Sequence, residues 1–350
     1  YSFTDKKGRK LTLRPEGTAS IVRAYIEHRL DLLPGMDRLF YTGRMYRYER
    51  PQSGRYREFS QVGAEFFSNE KHFSTLEILS LASDIISSAG IKDTEIHINS
   101  LGCAECRGEY VKALIKHISA GQDKLCQDCK TRISRNPLRV LDCKKAECKT
   151  VLGESPKISG FWDKRCADEY WELKIALKKS GVNFIENLNL VRGLDYYNSF
   201  VFEIKSTALG AQDAVLAGGR YDGLVKQLGG QDTGAVGFAA GLDRISSIAS
   251  DAIKNSASNA QNKCYVAPAG ENMRLKAFEL AAELRKQNIS AFGDYSKTSL
   301  KSSLRHADSL GIKYVLILGE NELKDNKVML KNLLTNEQKL IGINEIQAHL

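Results

Sequence analysis

A charged and aromatic stretch carries side chains suited to binding a phosphorylated ligand. RYERPQSGRYREF, residues 47–59, places four arginines and two glutamates around a Pro-Gln-Ser-Gly turn. An ordinary half-buried hairpin alternates apolar and polar residues, whereas this stretch alternates charges with aromatic rings. The planar fork of arginine suits polyphosphate oxygens. We therefore favour a binding site over the alternative, a solvated edge hairpin with cross-strand ion pairs.

The same argument extends along both predicted strands of the hairpin. Side chains two residues apart share a face of a strand, so Arg47 lies beside Glu49. The second strand then presents one row of side chains above a gap left by a glycine: Arg57, Phe59, Gln61, Gly63 and Glu65. This row supplies a carboxylate and an amide that can accept hydrogen bonds from an ammonium or an imidazole.

Two later stretches add candidate residues. In LVRGLDYYN, strand alternation predicts Arg192 and Tyr196 on one side and Tyr197 on the other. A fixed arginine charge in an apolar pocket would stabilise developing phosphate charge, although a core tyrosine pair with a snorkelling arginine explains the stretch equally well. In TGAVGFAAGLDRI, a glycine-rich strand leaves room for a flat ring, and Arg244 begins the following helix.

The cysteines have the spacing of a metal site. Cys103-x2-Cys106 and Cys126-x2-Cys129 are separated by nineteen residues, which matches a zinc pattern, so these four are the predicted ligands of a structural zinc. Cys143-x4-Cys148 leaves the ligand set open, and free thiols are the alternative. Clustered cysteines in a large charged chain indicate a reducing compartment, and hence the cytoplasm.

Composition permits two or three folded domains. The chain has 350 residues, of which 42% are hydrophobic, and a formal net charge of +9 that suits a partner rich in phosphate. No apolar run reaches the roughly 18 to 20 residues of a membrane span, so we expect no membrane contact. The chain opens without Met or a signal sequence, and we expect its start to be missing.

The order of predicted elements sets the expected domain boundaries. We predict an α+β domain with an antiparallel sheet at 1–101 and 178–250, interrupted by a cysteine-rich subdomain at 102–177. The polar segment 251–262 is the predicted linker. The pattern βαβαβ at 263–350 predicts a compact α/β domain with a mostly parallel sheet.

Five stretches, taken in order, resemble the histidyl-tRNA synthetases of the bacterial type: LRPEGT, RYERPQSGRYREFSQVGAE, LVRGLDYYN, AGGRYDGLV and GFAAGLDRI. The third and fourth are specific to the histidine enzymes, while the Arg-x-Glu pair of the second and the glycine-rich strand ending in Arg of the fifth are shared across class II synthetases. The resemblance implies a class II catalytic domain and a C-terminal anticodon-binding domain. It further implies a homodimer, with the first class II motif lying upstream of Tyr1.

The resemblance also implies a role for each site residue. Arg47 and Arg192 would be catalytic, both acting on the ATP α-phosphate, with Glu49 on the adenine amine. Arg55 and Arg244 would hold the outer phosphates, and Gln52 and Arg57 would face the tRNA acceptor end. The implied histidine-binding residues are Glu16, Thr18, Gln61, Glu65, Tyr196, Tyr197 and Tyr221.

The implied function is ligation of histidine to tRNA(His), with ATP and Mg²⁺ as the substrate complex. Such chemistry requires positioning and charge neutralisation more than a protein nucleophile. This agrees with the many arginines and with the lack of any Ser-His-Asp arrangement. Two alternatives use the same residues: a regulatory paralogue that binds histidine without adenylating it, and a tRNA-binding module with a vestigial ATP site.

Overall fold

The computed structural model describes most of the chain, namely residues 1–49, 51–52, 54–209, 213–249, 263–296 and 299–350. The chain folds into two compact units, one of Tyr1–Leu30 with Asp37–Ser250 and one of Asp31–Met36 with Asp251–Leu350. The predicted linker lies outside the described residues. No helix in the described part has the length and apolar character needed to cross a membrane.

The first unit is built on a seven-stranded sheet with the order β3-β4-β9-β8-β7-β5-β6. Every pairing is antiparallel except that of the two-residue β6, which runs parallel to β5. A separate hairpin of β1 and β2 precedes it. The strands of this unit are β1 (Ser2–Thr4), β2 (Lys10–Thr12), β3 (Arg38–Tyr46), β4 (Glu58–Phe67), β5 (Thr94–Ser100), β6 (Ile185–Glu186), β7 (Asn198–Ser206), β8 (Ala214–Arg220) and β9 (Ala235–Gly241).

Glycines on β9 leave room for polar side chains on β4. Gln61 pairs with Gly241, and Glu65 pairs with Gly237. A Cβ atom placed on Gly237 would lie 1.7 Å from Oε2 of Glu65, too close for any side chain. The glycine-rich strand predicted from the sequence therefore exists, and it makes space for a buried carboxylate.

Four helices of the first unit pack around this sheet: α1 (Thr18–Glu27), α2 (Lys71–Ser88), α7 (Leu224–Gln227) and α8 (Leu242–Ile248). The carboxylate of Glu70 accepts hydrogen bonds from three backbone N–H groups at the start of α2. Such capping satisfies donors that the first helical turn leaves unpaired. Glu16 does the same for α1, which fixes this carboxylate beside β4.

The cysteine-rich insert is helical. Its main helices are α3 (Ala104–Ala120), α4 (Gln127–Arg135), α5 (Ala146–Gly153) and α6 (Lys164–Lys179). α3 buries Tyr110, Leu114 and Ile118, which recur at the spacing of one helix face. These side chains pack with Val140 and Leu152 in a core that belongs to the insert.

The second unit is an α/β domain whose five predicted elements appear in the predicted order. Its sheet has the order β11-β10-β12-β13-β14, and β10 pairs in parallel with both β11 and β12. β13 runs antiparallel to both β12 and β14, so the prediction of a mostly parallel sheet is wrong for the described residues. The elements are β10 (Lys263–Pro268), α9 (Arg274–Lys286), β11 (Ser290–Phe292), α10 (Leu300–Ser309), β12 (Tyr314–Leu318), α11 (Glu320–Lys324), β13 (Lys327–Asn332), β14 (Gln338–Gly342) and α12 (Ile346–His349).

Two strand predictions require correction. β3 ends at Tyr46 and β4 begins at Glu58, so Arg47 and Glu49 lie beyond the strand, although one further backbone hydrogen bond joins Arg47 to Arg57. LVRGLDYYN is not a strand before Asn198. The alternation predicted for Arg192 and the tyrosines is therefore wrong, because the chain turns there to bring these side chains to the sheet from a loop.

Candidate active site

Glu65 is the central acidic group of the site. Its side chain on β4 is 1% exposed. Its carboxylate accepts hydrogen bonds from the hydroxyls of Thr18, at 2.7 Å, and Tyr221, at 2.5 Å. Burial raises the pKa of Glu65 to about 8, although the two hydroxyls act in the opposite direction. A carboxyl that gains or loses its proton near neutral pH suits a ligand with an imidazole ring.

A second buried carboxylate lies at the start of α1. Glu16 accepts from the backbone N–H groups of Thr18, at 2.7 Å, and Ala19, at 3.1 Å. The hydroxyl of Tyr196 reaches the same carboxylate at 3.4 Å. The helix N-terminus thus holds a negative charge at the pocket, where it can attract an ammonium group.

Three tyrosine rings pack against one another beside these two carboxylates. The ring centroids of Tyr196 and Tyr197 are 4.6 Å apart, and those of Tyr196 and Tyr221 are 5.6 Å apart. Burial raises the pKa of all three phenols, so each keeps its proton and can donate a hydrogen bond. In this structure Tyr221, rather than Tyr197, donates to Glu65.

Gln61 is buried on β4, two residues from Gly63 and on the same face. The hydroxyl of Tyr41 on β3 donates to its amide oxygen at 3.4 Å. Sequence reasoning missed Tyr41, which pairs across the sheet with Gly63 and fills the gap that this glycine leaves. The register between the two predicted strands could have identified Tyr41, because a glycine on one strand leaves room for an aromatic ring opposite it on the other.

Basic side chains gather beyond the ends of β3 and β9. Arg47 donates to the carbonyl of Pro15 at 2.7 Å, and its guanidinium lies 5.0 Å from the centroid of the Phe59 ring. Burial, followed by the charges of Arg55 and Arg47, lowers the pKa of Arg244. Three cations close enough to act on one another indicate an anion site, because their mutual repulsion favours a bound anion.

The described residues between β3 and β4 contact one another and α8. Arg244 reaches it by donating to the carbonyl of Gly54 at 2.8 Å. Glu49 forms an ion pair with Arg55, and its carbonyl accepts from Arg57 at 3.1 Å. Gln52 and Arg57 are exposed, so both are accessible to a large partner.

Arg192 lies in the loop before β7. Its guanidinium donates to Glu203 at 2.8 Å and lies 5.9 Å from the centroid of the Tyr197 ring. Its Nε is buried and has no hydrogen-bond partner among the described residues. Sequence reasoning missed Glu203. It lies on β7, eleven residues after Arg192, and the loop between the two residues hides their contact from the sequence.

The structure connects most of the predicted histidine-binding residues directly. Hydrogen bonds and ring contacts link Glu16, Thr18, Glu65, Tyr196, Tyr197 and Tyr221, with Gln61 on the same strand face as Glu65. The predicted ATP-binding residues Arg47, Glu49, Arg55 and Arg244 form a second group joined by charge interactions. Arg192 borders the first group through Tyr197.

A buried ion pair supports this pocket and was not predicted as functional. Arg220 is 1% exposed and donates to the carboxylate of Asp222 at 2.7 Å and to the hydroxyl of Ser74 at 2.9 Å. The two residues flank Tyr221, so their bonds fix the turn that aims its hydroxyl at Glu65. The signal was present in GGRYD, which places opposite charges on either side of a tyrosine.

The predicted set of four zinc ligands is wrong. Cys103 immediately precedes α3, whereas Cys126 immediately precedes α4, after α3 has ended. A helix of 17 residues is about 25 Å long, which separates the two Cys-x2-Cys pairs. Each pair instead meets later ligands: Cys126 and Cys129 meet Cys143 and Cys148, and Cys103 and Cys106 meet Asp163 and Cys166.

Comparison with known proteins agrees with this geometry. A family model described as histidyl-tRNA synthetase matches residues 1–123 and 144–245, and an anticodon-binding-domain model matches residues 263–350. The histidine–tRNA ligase of Aquifex aeolicus is 44% identical over 99% of this chain and 84% of its own length. That of Halothermothrix orenii is 42% identical over 97% of this chain and 81% of its own length.

A solved structure shares the fold. The apo histidyl-tRNA synthetase of S. aureus aligns with a TM-score of 0.56 and 32% identity, over 100% of this chain and 86% of the other. The predicted fold class is confirmed: a class II synthetase-like catalytic domain with an antiparallel sheet and a C-terminal anticodon-binding domain. The chain belongs to the histidyl-tRNA synthetase family.

Proposed function

We propose that this chain ligates histidine to tRNA(His), first activating histidine with ATP. The observation that carries the proposal is the buried carboxyl of Glu65, which accepts hydrogen bonds from the hydroxyls of Thr18 and Tyr221. A neutral imidazole can accept the proton of Glu65, which gives an imidazolium–carboxylate pair joined by a charged hydrogen bond. Binding a neutral imidazole therefore brings no net charge to this buried position, where an unpaired charge would be costly.

Histidine binding uses both carboxylates. Glu65 faces the imidazole, with Tyr197 and Tyr221 beside it, and an amino acid that lacks ring N–H groups leaves these buried polar groups unpaired. Such mismatches discriminate strongly between substrates. Glu16, with Thr18, Gln61 and Tyr196, takes the α-ammonium group, whose positive charge offsets the carboxylate.

ATP binding uses the arginine cluster. Arg47 and Arg192 bind the α-phosphate, while Arg55 and Arg244 bind the outer phosphates, and Glu49 accepts from the adenine amine. Glu49 also forms an ion pair with Arg55, so its contact with the adenine amine competes with that ion pair. Mg²⁺ would be part of the ATP substrate complex and would neutralise phosphate charge.

The reaction is a displacement at phosphorus. The histidine carboxylate attacks the α-phosphorus and pyrophosphate leaves, giving histidyl-adenylate. A 3′-terminal ribose hydroxyl of the tRNA then attacks the histidyl carbonyl and AMP leaves. Arg192 stabilises charge on the α-phosphate as the new bond forms, and its buried Nε–H can donate a hydrogen bond to a phosphate oxygen.

The tRNA is the macromolecular partner in this proposal. Exposed Gln52 and Arg57 face the acceptor end, and residues 263–350 contact the anticodon. The catalytic domain comprises 1–101 and 178–250, and the insert at 102–177 lies against the acceptor arm. The family's usual setting, a homodimer in the cytoplasm, is part of this proposal.

Histidine-dependent ATP–pyrophosphate exchange tests the proposal. The expected result is exchange with histidine and none with other amino acids, followed by charging of tRNA(His) transcripts. Histidine binding by calorimetry without exchange would instead support the regulatory alternative. Transfer-RNA binding without either activity would support a binding module with a vestigial ATP site.

A further inference from the structure

The insert contains two groups of metal-ligating side chains outside the active site. Seven of the eight cysteines lie in these groups, and all eight are free of disulfide bonds. Within each group, the ligand atoms all lie within 4.8 Å of one another. The family model leaves residues 124–143 unmatched, so membership of the family assigns nothing to the three cysteines in that segment.

The first group consists of Cys126, Cys129, Cys143 and Cys148. The sulfur atoms of Cys126 and Cys143 are 4.0 Å apart. A tetrahedral zinc with Zn–S bonds of about 2.3 Å places neighbouring sulfurs about 3.8 Å apart. A disulfide would need a separation of about 2.05 Å. The four sulfurs therefore stand at the spacing of a tetrathiolate site.

The surroundings of this group also fit a metal. Cys126, Cys129 and Cys148 lie in the hydrophobic core of the insert with Leu114 and Val140. The backbone N–H of Cys126 donates to the sulfur of Cys148 at 3.3 Å. Cysteines can pack as small apolar residues, but packing alone gives no reason for four sulfurs from three separate segments to converge. A shared cation does.

The second group joins Cys103, Cys106, Asp163 and Cys166. The sulfur of Cys106 lies 3.4 Å from that of Cys103 and 4.0 Å from that of Cys166. The two carboxylate oxygens of Asp163 have different contacts. Oδ1 accepts a hydrogen bond from the backbone N–H of Cys166 at 2.7 Å, and Oδ2 lies 3.9 Å from the sulfur of Cys103.

Backbone donors also orient the sulfurs of the second group. The N–H of Cys103 donates to Cys166 at 3.3 Å, and that of Asp163 donates to Cys106 at 3.2 Å. Hydrogen bonds of this kind fix metal ligands in place. Carboxylate oxygen is an ordinary zinc ligand beside thiolates, so this set is also complete for tetrahedral coordination.

We propose that the insert binds two structural Zn²⁺ ions, one in each group. Four protein ligands at each site leave no open position for catalysis, and thiolate donors favour Zn²⁺ over Mg²⁺ or Ca²⁺. The first ion ties the start of α4 to α5, and the second ties the start of α3 to the start of α6. Each Cys-x2-Cys pair thus completes its site with ligands from a later segment.

Metal content of the full chain tests the proposal. The protein is expressed in zinc-supplemented medium, freed of any affinity tag, dialysed against a weak chelator and analysed by inductively coupled plasma mass spectrometry. The expected content is two zinc ions per chain. Cys129→Ser and Cys166→Ser should each lower it to one. The matched control is Cys264→Ser, a buried cysteine of the second unit that belongs to neither group, and it should keep both ions.

Native mass spectrometry of the unmutated chain covers the case in which a variant does not fold. The expected native mass exceeds the unfolded mass by two zinc ions, and alkylation after unfolding without reductant should modify all eight cysteines. A native chain without bound metal would overturn the proposal, whether its cysteines were free or oxidised to disulfides. Iron in place of zinc, visible as coloured protein, would overturn the choice of metal. If the unmutated chain held only one zinc ion, the site whose Cys→Ser variant still held that ion would be the one that binds no metal.

Discussion

At the scale of single residues, the proposed specificity for histidine depends on Glu65, because this carboxylate is buried and already oriented by two hydroxyls. We expect Glu65→Gln to raise the KM for histidine in pyrophosphate exchange about 100-fold, the effect of losing about 3 kcal/mol from a charged hydrogen bond. The KM for ATP should stay within about threefold. Glu58→Gln, on the exposed start of the same strand, is the control and should behave as wild type. An equal rise in both constants would contradict the assignment.

The same residue predicts how stability depends on pH. Burial raises the pKa of Glu65 from 4.5 to about 8 in the folded state. Between these values the folded protein keeps a proton that the unfolded chain has lost. This residue therefore lowers the free energy of unfolding as the pH rises, by at most about 1.4 kcal/mol per pH unit, and the effect levels off above the folded pKa. Urea unfolding of wild type and Glu65→Gln from about pH 5 to 9 should show a steeper decline for wild type, and parallel curves would rule this out.

Arg192 should affect the chemical step rather than histidine binding. Its guanidinium contacts Glu203 and the Tyr197 ring but no described atom of Glu16 or Glu65. We expect Arg192→Ala to lower kcat for exchange by about 10² to 10³, the cost of removing one charge-stabilising donor, with the Kd for histidine nearly unchanged by calorimetry. Arg23→Ala, an exposed arginine in an i,i+4 pair on α1, is the control. Wild-type turnover of Arg192→Ala would refute the role.

At the scale of elements, the glycine pattern of β9 is a requirement of the site. A methyl group on Gly237 would overlap the Glu65 carboxylate and approach the carbonyl of Ala64. We expect Gly237→Ala to destabilise the first unit by about 1 to 3 kcal/mol and to abolish histidine binding. Gly108→Ala makes the same chemical change on α3, where a Cβ meets nothing within 4 Å, and should stabilise by up to about 1 kcal/mol. Thermal unfolding and calorimetry check both, and histidine binding by Gly237→Ala would argue against this crowding.

How far the sequence predicts this fold depends on the range of the interactions. β4, β9 and the β-α-β-α-β order of the second unit follow from local patterns, because strand alternation and helix periodicity are written within a few residues. The segment around Arg192 was wrongly predicted as a strand because aromatic residues favour strands locally. Tertiary contacts with Glu203 and Tyr221 instead determine its loop conformation. The prediction of which cysteines share a metal ion was wrong for the same reason. Sequence spacing indicates candidate ligands, but it does not show that a long helix separates the two Cys-x2-Cys pairs.

At the scale of the whole molecule, the two units and the excess of basic residues suit a large polyanionic partner. The net charge is +9, and each phosphate contact with a nucleic acid releases condensed cations, so binding weakens steeply as salt rises. In the proposed function, histidine and ATP bind to a few fixed, partly buried charges, where screening by salt is weaker than at the surface. The same chain should therefore show two different responses to salt.

The corresponding prediction compares the two half-reactions. Between about 50 and 200 mM salt we expect the KM for tRNA(His) in aminoacylation to rise about tenfold or more, while the KM for histidine in exchange changes less than about threefold. Steady-state kinetics at fixed Mg²⁺ measures both, with potassium glutamate in place of chloride as the control for a specific anion effect. A tRNA KM that ignores salt would mean that recognition depends on shape and base contacts rather than on the phosphate backbone, and the basic excess would then need another explanation.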